Sequence, residues 1–326
     1  MKPKMNKLAL ASAIAMVLGV SAAHAGVIIS INPDGGAPDP TISVGSLGWN
    51  DGNALSIGSS GLPVAKGDTV QTYAQASLAN FSDAGGNPIG GLSLNSVYEW
   101  TYVAGFQEVV SSATGSPPTA TATFQTVAGG NNFFQIYYDT ARNADNLVGK
   151  GFNNGTLILS GRILPFDGST GSSSFNATGY AGDPLDGFGD NNYPDITSIA
   201  GNGGAKLKVA VDSYDPTFFT TPLSIISLGY DAFLNTPYTQ QNPSSCFWDG
   251  TKYISGAGPI SSGTSAQTAA ACESSSVGSI NGLYGPGFMF ATRSSSSFSA
   301  IPEPASLALL GIGLIGLGFA RRKARD

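Results

Sequence analysis

Four groups of residues in this chain have the types and spacing to do chemistry. The densest is an acidic, glycine-bearing run, Asp183-Pro184-Leu185-Asp186-Gly187-Phe188-Gly189-Asp190-Asn191-Asn192-Tyr193-Pro194-Asp195. Hard Ca²⁺ takes several carboxylate and carbonyl oxygens, and Asp183, Asp186, Asp190 and Asp195 are the candidates to supply them. The spacing is not that of an EF-hand loop, so a plain solvated acidic loop is the competing account. Glu99 and Glu108 are carboxyl groups that a glycosidase would need in a facing pair, roughly 5–9.5 Å apart. The aromatics Trp49, Tyr98, Trp100, Tyr102 and Trp248 present stiff apolar faces suited to stacking on sugar rings. Tyr98, Trp100 and Tyr102 are two residues apart, so on a strand they share one face; filling a core is the alternative use of such a face. Last come two cysteines, Cys246 and Cys272.

One absence narrows the chemistry. The single histidine, His24, lies in a stretch expected to be removed on export. The mature chain then has no Ser-His-Asp triad, no Cys-His pair and no imidazole zinc ligand. No other catalytic constellation is signalled, so the expectation is a non-enzyme without a resident cofactor, Ca²⁺ being the one candidate ion. Residues 26–300 carry eight Lys and Arg against nineteen Asp and Glu, a formal charge of −11. Such a body repels nucleic acid and anionic lipid, which need a cationic surface.

The two ends explain the cysteines. Lys2, Lys4 and Lys7 precede the apolar run Leu8 to Val20, and Ala23-His24-Ala25 forms an A-x-A cleavage site. The expectation is a signal helix over residues 1–25, cut between Ala25 and Gly26. An exported chain meets an oxidising compartment, so Cys246 and Cys272 are expected to pair, a free reactive thiol being the alternative. Closing a loop of that length stabilises the folded state by about 3 kcal/mol in the chain-entropy account. At the other end, Ile301-Pro302-Glu303-Pro304 is a stiff extended tetrapeptide, since proline fixes φ and removes a donor. Ala305 to Ala320 follows without a charge, and Arg321-Arg322-Lys323-Ala324-Arg325 closes the run. That pattern reads as a short transmembrane helix over 305–320 with its basic end on the cytoplasmic side. Sixteen residues rise only about 24 Å, and four glycines weaken the helix further, so the anchor is marginal.

Pro302-Glu303-Pro304, the short glycine-bearing apolar run and the Arg321, Arg322, Lys323 cluster together resemble the PEP-CTERM sorting tail. The family usually has Val before Pro-Glu-Pro, where this chain has Ile301. The resemblance implies recognition and processing by an exosortase, a membrane enzyme that brings its own catalytic cysteine. It also implies export by bacteria that make exopolysaccharide, with an inner-membrane-anchored precursor and an extracellular or cell-surface mature form. A second, shorter likeness covers Phe133–Asp139, the loop after it, and Gly151-Phe152-Asn153-Asn154-Gly155-Thr156-Leu157-Ile158-Leu159-Ser160-Gly161. It is similar to the body of flocculation-associated PEP-CTERM proteins.

The body between the ends reads as all-β. Glycine is about twice as common as in an average protein, and Gly/Asn/Pro turns separate runs of Val, Ile, Thr, Tyr and Phe. Strands are expected over Val27–Ile31, Thr41–Leu47, Asp68–Phe81, Ser96–Ser111, Thr119–Ala128, Phe133–Asp139, Thr156–Ser160, Ala205–Asp212, Leu223–Leu234 and Gly287–Thr292. Thr119–Ala128 and Phe133–Asp139 read as one hairpin, Asp68–Phe81 as half-buried, and the Ser/Gly stretch around Phe175 as an edge strand. Ser294–Ala300 reads as a serine-rich linker. The expected organisation is a signal peptide over 1–25, a β-sandwich or jelly-roll-like body over 26–293, a linker over 294–300 and the sorting tail over 301–326. The expected role is structural or adhesive, with exopolysaccharide or other matrix components as partners and the inner membrane as a transient one. A carbohydrate-binding or Ca²⁺-dependent adhesion module is the alternative.

Overall fold

The computed structural model describes residues 27–36, 38–58, 65–115, 119–230, 236–256, 272, 277–283 and 285–300. The expected signal helix and transmembrane helix lie outside these residues. Among the described residues the structure is all-β, and no helix is long and apolar enough to cross a membrane. Seventeen strands follow in order: β1 (Ile29–Ile31), β2 (Ile42–Val44), β3 (Ser46–Trp49), β4 (Gly52–Gly58), β5 (Thr69–Ser82), β6 (Glu99–Thr114), β7 (Thr121–Thr126), β8 (Phe133–Asp139), β9 (Thr156–Ile163), β10 (Ser172–Pro184), β11 (Thr197–Tyr214), β12 (Leu223–Tyr230), β13 (Cys246–Trp248), β14 (Tyr253–Ser255), β15 (Ile280–Asn281), β16 (Gly287–Thr292) and β17 (Ser294–Ala300).

The main sheet returns on itself. β5 pairs β6, then β8, β9, β11, β12, β17 and β3 follow, and β3 pairs β5 again, every contact antiparallel. Closure pairs both edges of these eight strands and so protects them from association with other strands, while the wider sheet ends at β16, which pairs β4 alone. The two long strands β6 and β11 each take two partners in series along one edge. Glu99–Gly105 of β6 faces β8, and Glu108–Thr114 faces β7. β11 meets β10 with its first part and β9 with its last. Arg293, between β16 and β17, holds Asp51, between β3 and β4, through two bonds of 2.7 and 3.0 Å. That pair is solvent-accessible, so it is worth at most about 1 kcal/mol.

Alternation sets the inner face. Tyr98, just before β6, and Trp100, Tyr102, Ala104 and Phe106 on it all point inward and are buried. They form one core cluster with Ala74, Ala76 and Leu78 of β5, Leu207 and Val209 of β11, and Ile226 and Leu228 of β12. Ring pairs lock this core edge to face: Trp49 with Tyr102 at 4.8 Å and Phe81 with Trp100 at 5.1 Å. Each such pair adds roughly 0.5–1.5 kcal/mol beyond burial. The polar ends of these rings find partners. Trp100 Nε1 donates to Pro33 O at 2.8 Å, and Tyr98 Oη donates to Asp39 Oδ2 at 2.7 Å.

Several expectations are corrected. Ser294–Ala300 is not a linker but β17, paired with β12 on one edge and β3 on the other. Its alternate residues Ser294, Ser296 and Phe298 face the core. There Trp49 Nε1 donates to Ser296 Oγ at 2.8 Å, and the Tyr102 and Ser294 hydroxyls are 3.2 Å apart. A serine run is therefore compatible with an inner strand because two aromatic side chains satisfy its hydroxyls. The stretch around Phe175 is not an edge: β10 pairs both β7 and β11. β7 and β8 do not form a hairpin; both pair β6, which is long enough to hold them in line. β4, which lies outside the strands expected from the sequence, pairs β5 and β16.

β5 is buried on both faces rather than one, because a second layer covers its outside. Leu55, Tyr73, Leu185, Tyr193, Tyr238, Phe247, Ile254, Val277 and Met289 form a separate outer cluster. Gln75 anchors this layer from the sheet: buried, its amide donates to Cys246 O at 3.0 Å, Ser244 Oγ at 3.3 Å and Gly149 O at 3.3 Å. Gly149 has φ +75°, and a Cβ there would collide with the carbonyl of Cys246. Only glycine combines that backbone conformation with so close an approach.

Candidate functional site

The C-terminal edge of the fold is the first candidate. β17 is the last strand of the closed sheet, and its final residue, Ala300, pairs Leu223 of β12. In the sequence, Ile301-Pro302-Glu303-Pro304 follows Ala300, the last ladder residue, directly. Pro302, Glu303, Pro304, Arg321, Arg322 and Lys323 themselves lie outside the described residues, as do Ala23, Ala25 and Gly26. A family model described as the PEP-CTERM protein-sorting motif matches residues 300–323. The chain carries a PEP-CTERM sorting motif. It is an exported protein targeted by an exosortase. The sorting motif begins at Ala300, so its first matched residue is also the last residue of the folded sheet. No curated protein and no solved structure matches the chain.

The two cysteines meet. Cys246 and Cys272 form a disulfide with Cα atoms 6.0 Å apart. Cys246 is fully buried in β13, whose backbone bonds back to Val148. The bridge ties the outer layer to a segment 26 residues further along.

The four acidic candidates are not brought together as equals. Asp186 is buried and already committed: it accepts from Phe188 N and Asn192 N at 3.2 Å each, and from Asn192 Nδ2 at 3.0 Å. Asp183, Asp190 and Asp195 are exposed. Among the described residues no three acidic, histidine or cysteine side chains gather around a cation-sized space.

Glu99 and Glu108 are separated. They lie nine residues apart on one strand, which at a rise of ~3.3 Å puts them about 30 Å apart. An odd spacing also sends them to opposite faces. Glu99 faces outward under the loop after β8, where its Oε1 accepts from Asn143 N at 2.7 Å and Ala144 N at 3.0 Å. Burial pushes its carboxyl up, against the pull of those two amides. Glu108 faces inward, where burial pushes its carboxyl up to about 7, with Ser173 Oγ donating to it at 2.6 Å. They are not the facing pair a glycosidase needs.

The proposed sugar platform is likewise used elsewhere. Tyr98, Trp100, Tyr102 and Trp49 are core residues, none more than 3% exposed. Only Trp248 stays partly accessible, packed edge-on against Tyr253 at 5.2 Å. Sequence reasoning missed the interior surroundings of Glu108. The available signal was parity: Glu108 shares the even register of Tyr98, Trp100, Tyr102 and Phe106.

Proposed function

We propose that this protein is a structural, adhesive component of the cell surface or extracellular matrix, acting with exopolysaccharide in floc or biofilm formation. The observation that carries this reading is the join between the sorting motif and the body. A motif for exosortase targeting starts on the last residue of β17, a strand paired on both edges, in a body with a disulfide-tied outer layer. Such a body suits a long life outside the cell, because closed pairing limits local opening and the bridge holds the outer layer in place. We read it as a sandwich or jelly-roll-like module, with the two halves of one sheet packed over one core.

In this reading the precursor is held in the inner membrane by residues 305–320 and processed near Pro302-Glu303-Pro304. Four residues span at most ~14 Å of extended chain, so the folded body meets the processing enzyme at close range. The likeness to flocculation-associated proteins supports the matrix role. A carbohydrate-binding role has one foothold, the partly accessible Trp248–Tyr253 pair with Lys150 Nζ 5.3 Å from the Tyr253 ring.

The test combines mass and phenotype. Protein recovered from outside native cells is expected to end within or beside Ile301–Ala305. A strain lacking the protein is expected to lose floc or biofilm cohesion, and a variant with Pro302, Glu303 and Pro304 replaced by alanine is expected not to restore it. An intact chain in the membrane fraction, with cohesion unaffected by deletion, would refute both processing and role.

A further inference from the structure

Inside the closed sheet, at the end away from β8 and β9, lies a pocket of ≈ 80 Å³. Strands β4, β5, β6, β7, β10, β12 and β16 all contribute to its wall. The wall is mostly apolar, with rings from Phe106, Phe124, Phe175, Phe288 and Phe290. Phe288 bridges its neighbours, 4.9 Å from Phe175 and 5.4 Å from Phe290. Gly285 and Pro286 are the exposed lining residues and mark the mouth.

The polar groups in this wall are few and specific. Glu108 and Ser173 bond each other, and the Ser56 and Thr72 hydroxyls are 2.6 Å apart. Tyr230 and Thr292 are different. They are 5% and 2% exposed, and both hydroxyls lie within hydrogen-bonding reach of the Tyr102 hydroxyl, which also bonds Ser294, though neither meets it in ordinary geometry. A buried hydroxyl held by so poor a bond gains from a better-placed partner.

We propose that this pocket binds a small uncharged molecule with an apolar body and one hydroxyl or carbonyl oxygen, held by the Tyr230 and Thr292 hydroxyls. An anion is disfavoured, since among the described residues no Lys or Arg lines the pocket while the Glu108 carboxyl does. A cation is disfavoured because burial keeps that carboxyl largely neutral up to about pH 7, and Tyr230, the other titratable group in the wall, is held well above its usual range by burial. An apolar cavity of about 150 Å³ admits benzene. This pocket is smaller but open at its mouth, so a single-ring molecule seats its polar end and part of its ring inside and leaves the rest beside Gly285 and Pro286.

The experiment uses protein recovered from outside the cells and four single-ring probes: benzyl alcohol, toluene, benzoate and benzylammonium. Dissociation constants come from ligand-observed NMR titrations at pH 6. Benzyl alcohol is expected to bind about five-fold more tightly than toluene, the worth of one ordinary hydrogen bond, with benzoate and benzylammonium weaker than both. Tyr230→Phe and, separately, Thr292→Val are expected to shrink the alcohol's advantage and leave toluene unchanged. The proposal is overturned if no probe binds, if toluene matches the alcohol, or if either ion binds best. The wild-type comparison decides these points even where a variant does not fold.

Discussion

Replacing Glu108 by glutamine should make the fold more tolerant of alkaline pH. Glu108 is 4% exposed on the inner face of β6, and burial raises its carboxyl from 4.5 to about 7. In the unfolded chain it returns to its ordinary value. The folded state thus holds a proton that the unfolded state has released. A carboxyl raised in this way contributes stability that is fully present below about 4.5 and lost as pH rises through about 7. A rise from 4.5 to about 7 corresponds to about 3 kcal/mol. Glutamine keeps the oxygen that accepts from Ser173 Oγ and carries no charge at any pH. Urea unfolding of wild type and Glu108→Gln, side by side at pH 5 and pH 8, isolates this group, because every other titration cancels in the comparison. The two proteins should be of similar stability at pH 5. At pH 8 the variant should gain about 3 kcal/mol relative to wild type. For a domain of this size each kcal/mol moves Tm by roughly 2–4 °C, so the melting curves should also separate by several degrees. An equal difference at both pH values would refute the claim that a buried, protonated carboxyl stands at this position.

Three further outcomes follow from the packing. Cys246→Ser with Cys272→Ser should lower stability by about 3 kcal/mol, read as a shift of the urea midpoint, and reduction of the wild type should do the same. Ser296→Ala removes the acceptor of the Trp49 indole and should cost about 1–3 kcal/mol, seen in the same assay, whereas Ser295→Ala on the opposite face of β17 should fall within about 0.5 kcal/mol. Gly149→Ala should be more damaging than an ordinary loop substitution, since it combines positive φ with a collision against the Cys246 carbonyl; limited proteolysis should then cut the outer layer between 236 and 256 before the sheet.

What the sequence determined is everything that depends on local order. The sorting motif is a linear signal, so Pro302-Glu303-Pro304 and the basic cluster are legible without a fold, and the family comparison found them at 300–323. Most strands of the body were also legible, since their period-two patterns and Gly/Asn turns are local. That Tyr98, Trp100 and Tyr102 share one face, and that β11 has one buried and one wet face, followed from parity alone: Leu207 and Val209 are buried while Lys206 is exposed. Tertiary structure decided the rest, because each remaining question concerns partners distant in sequence. Whether Ser294–Ala300 is a linker or an inner strand depends on Trp49, 247 residues away from Ser296, having an indole to satisfy. Whether Tyr98, Trp100 and Tyr102 bind sugar or fill a core depends on which face the sheet closes over. The outer layer on β5 turns on Gln75 reaching Cys246, 171 residues on. Glu108, Tyr230 and Thr292 lie on three strands that share one pocket only because the sheet returns on itself, and periodicity within a strand carries no record of that closure.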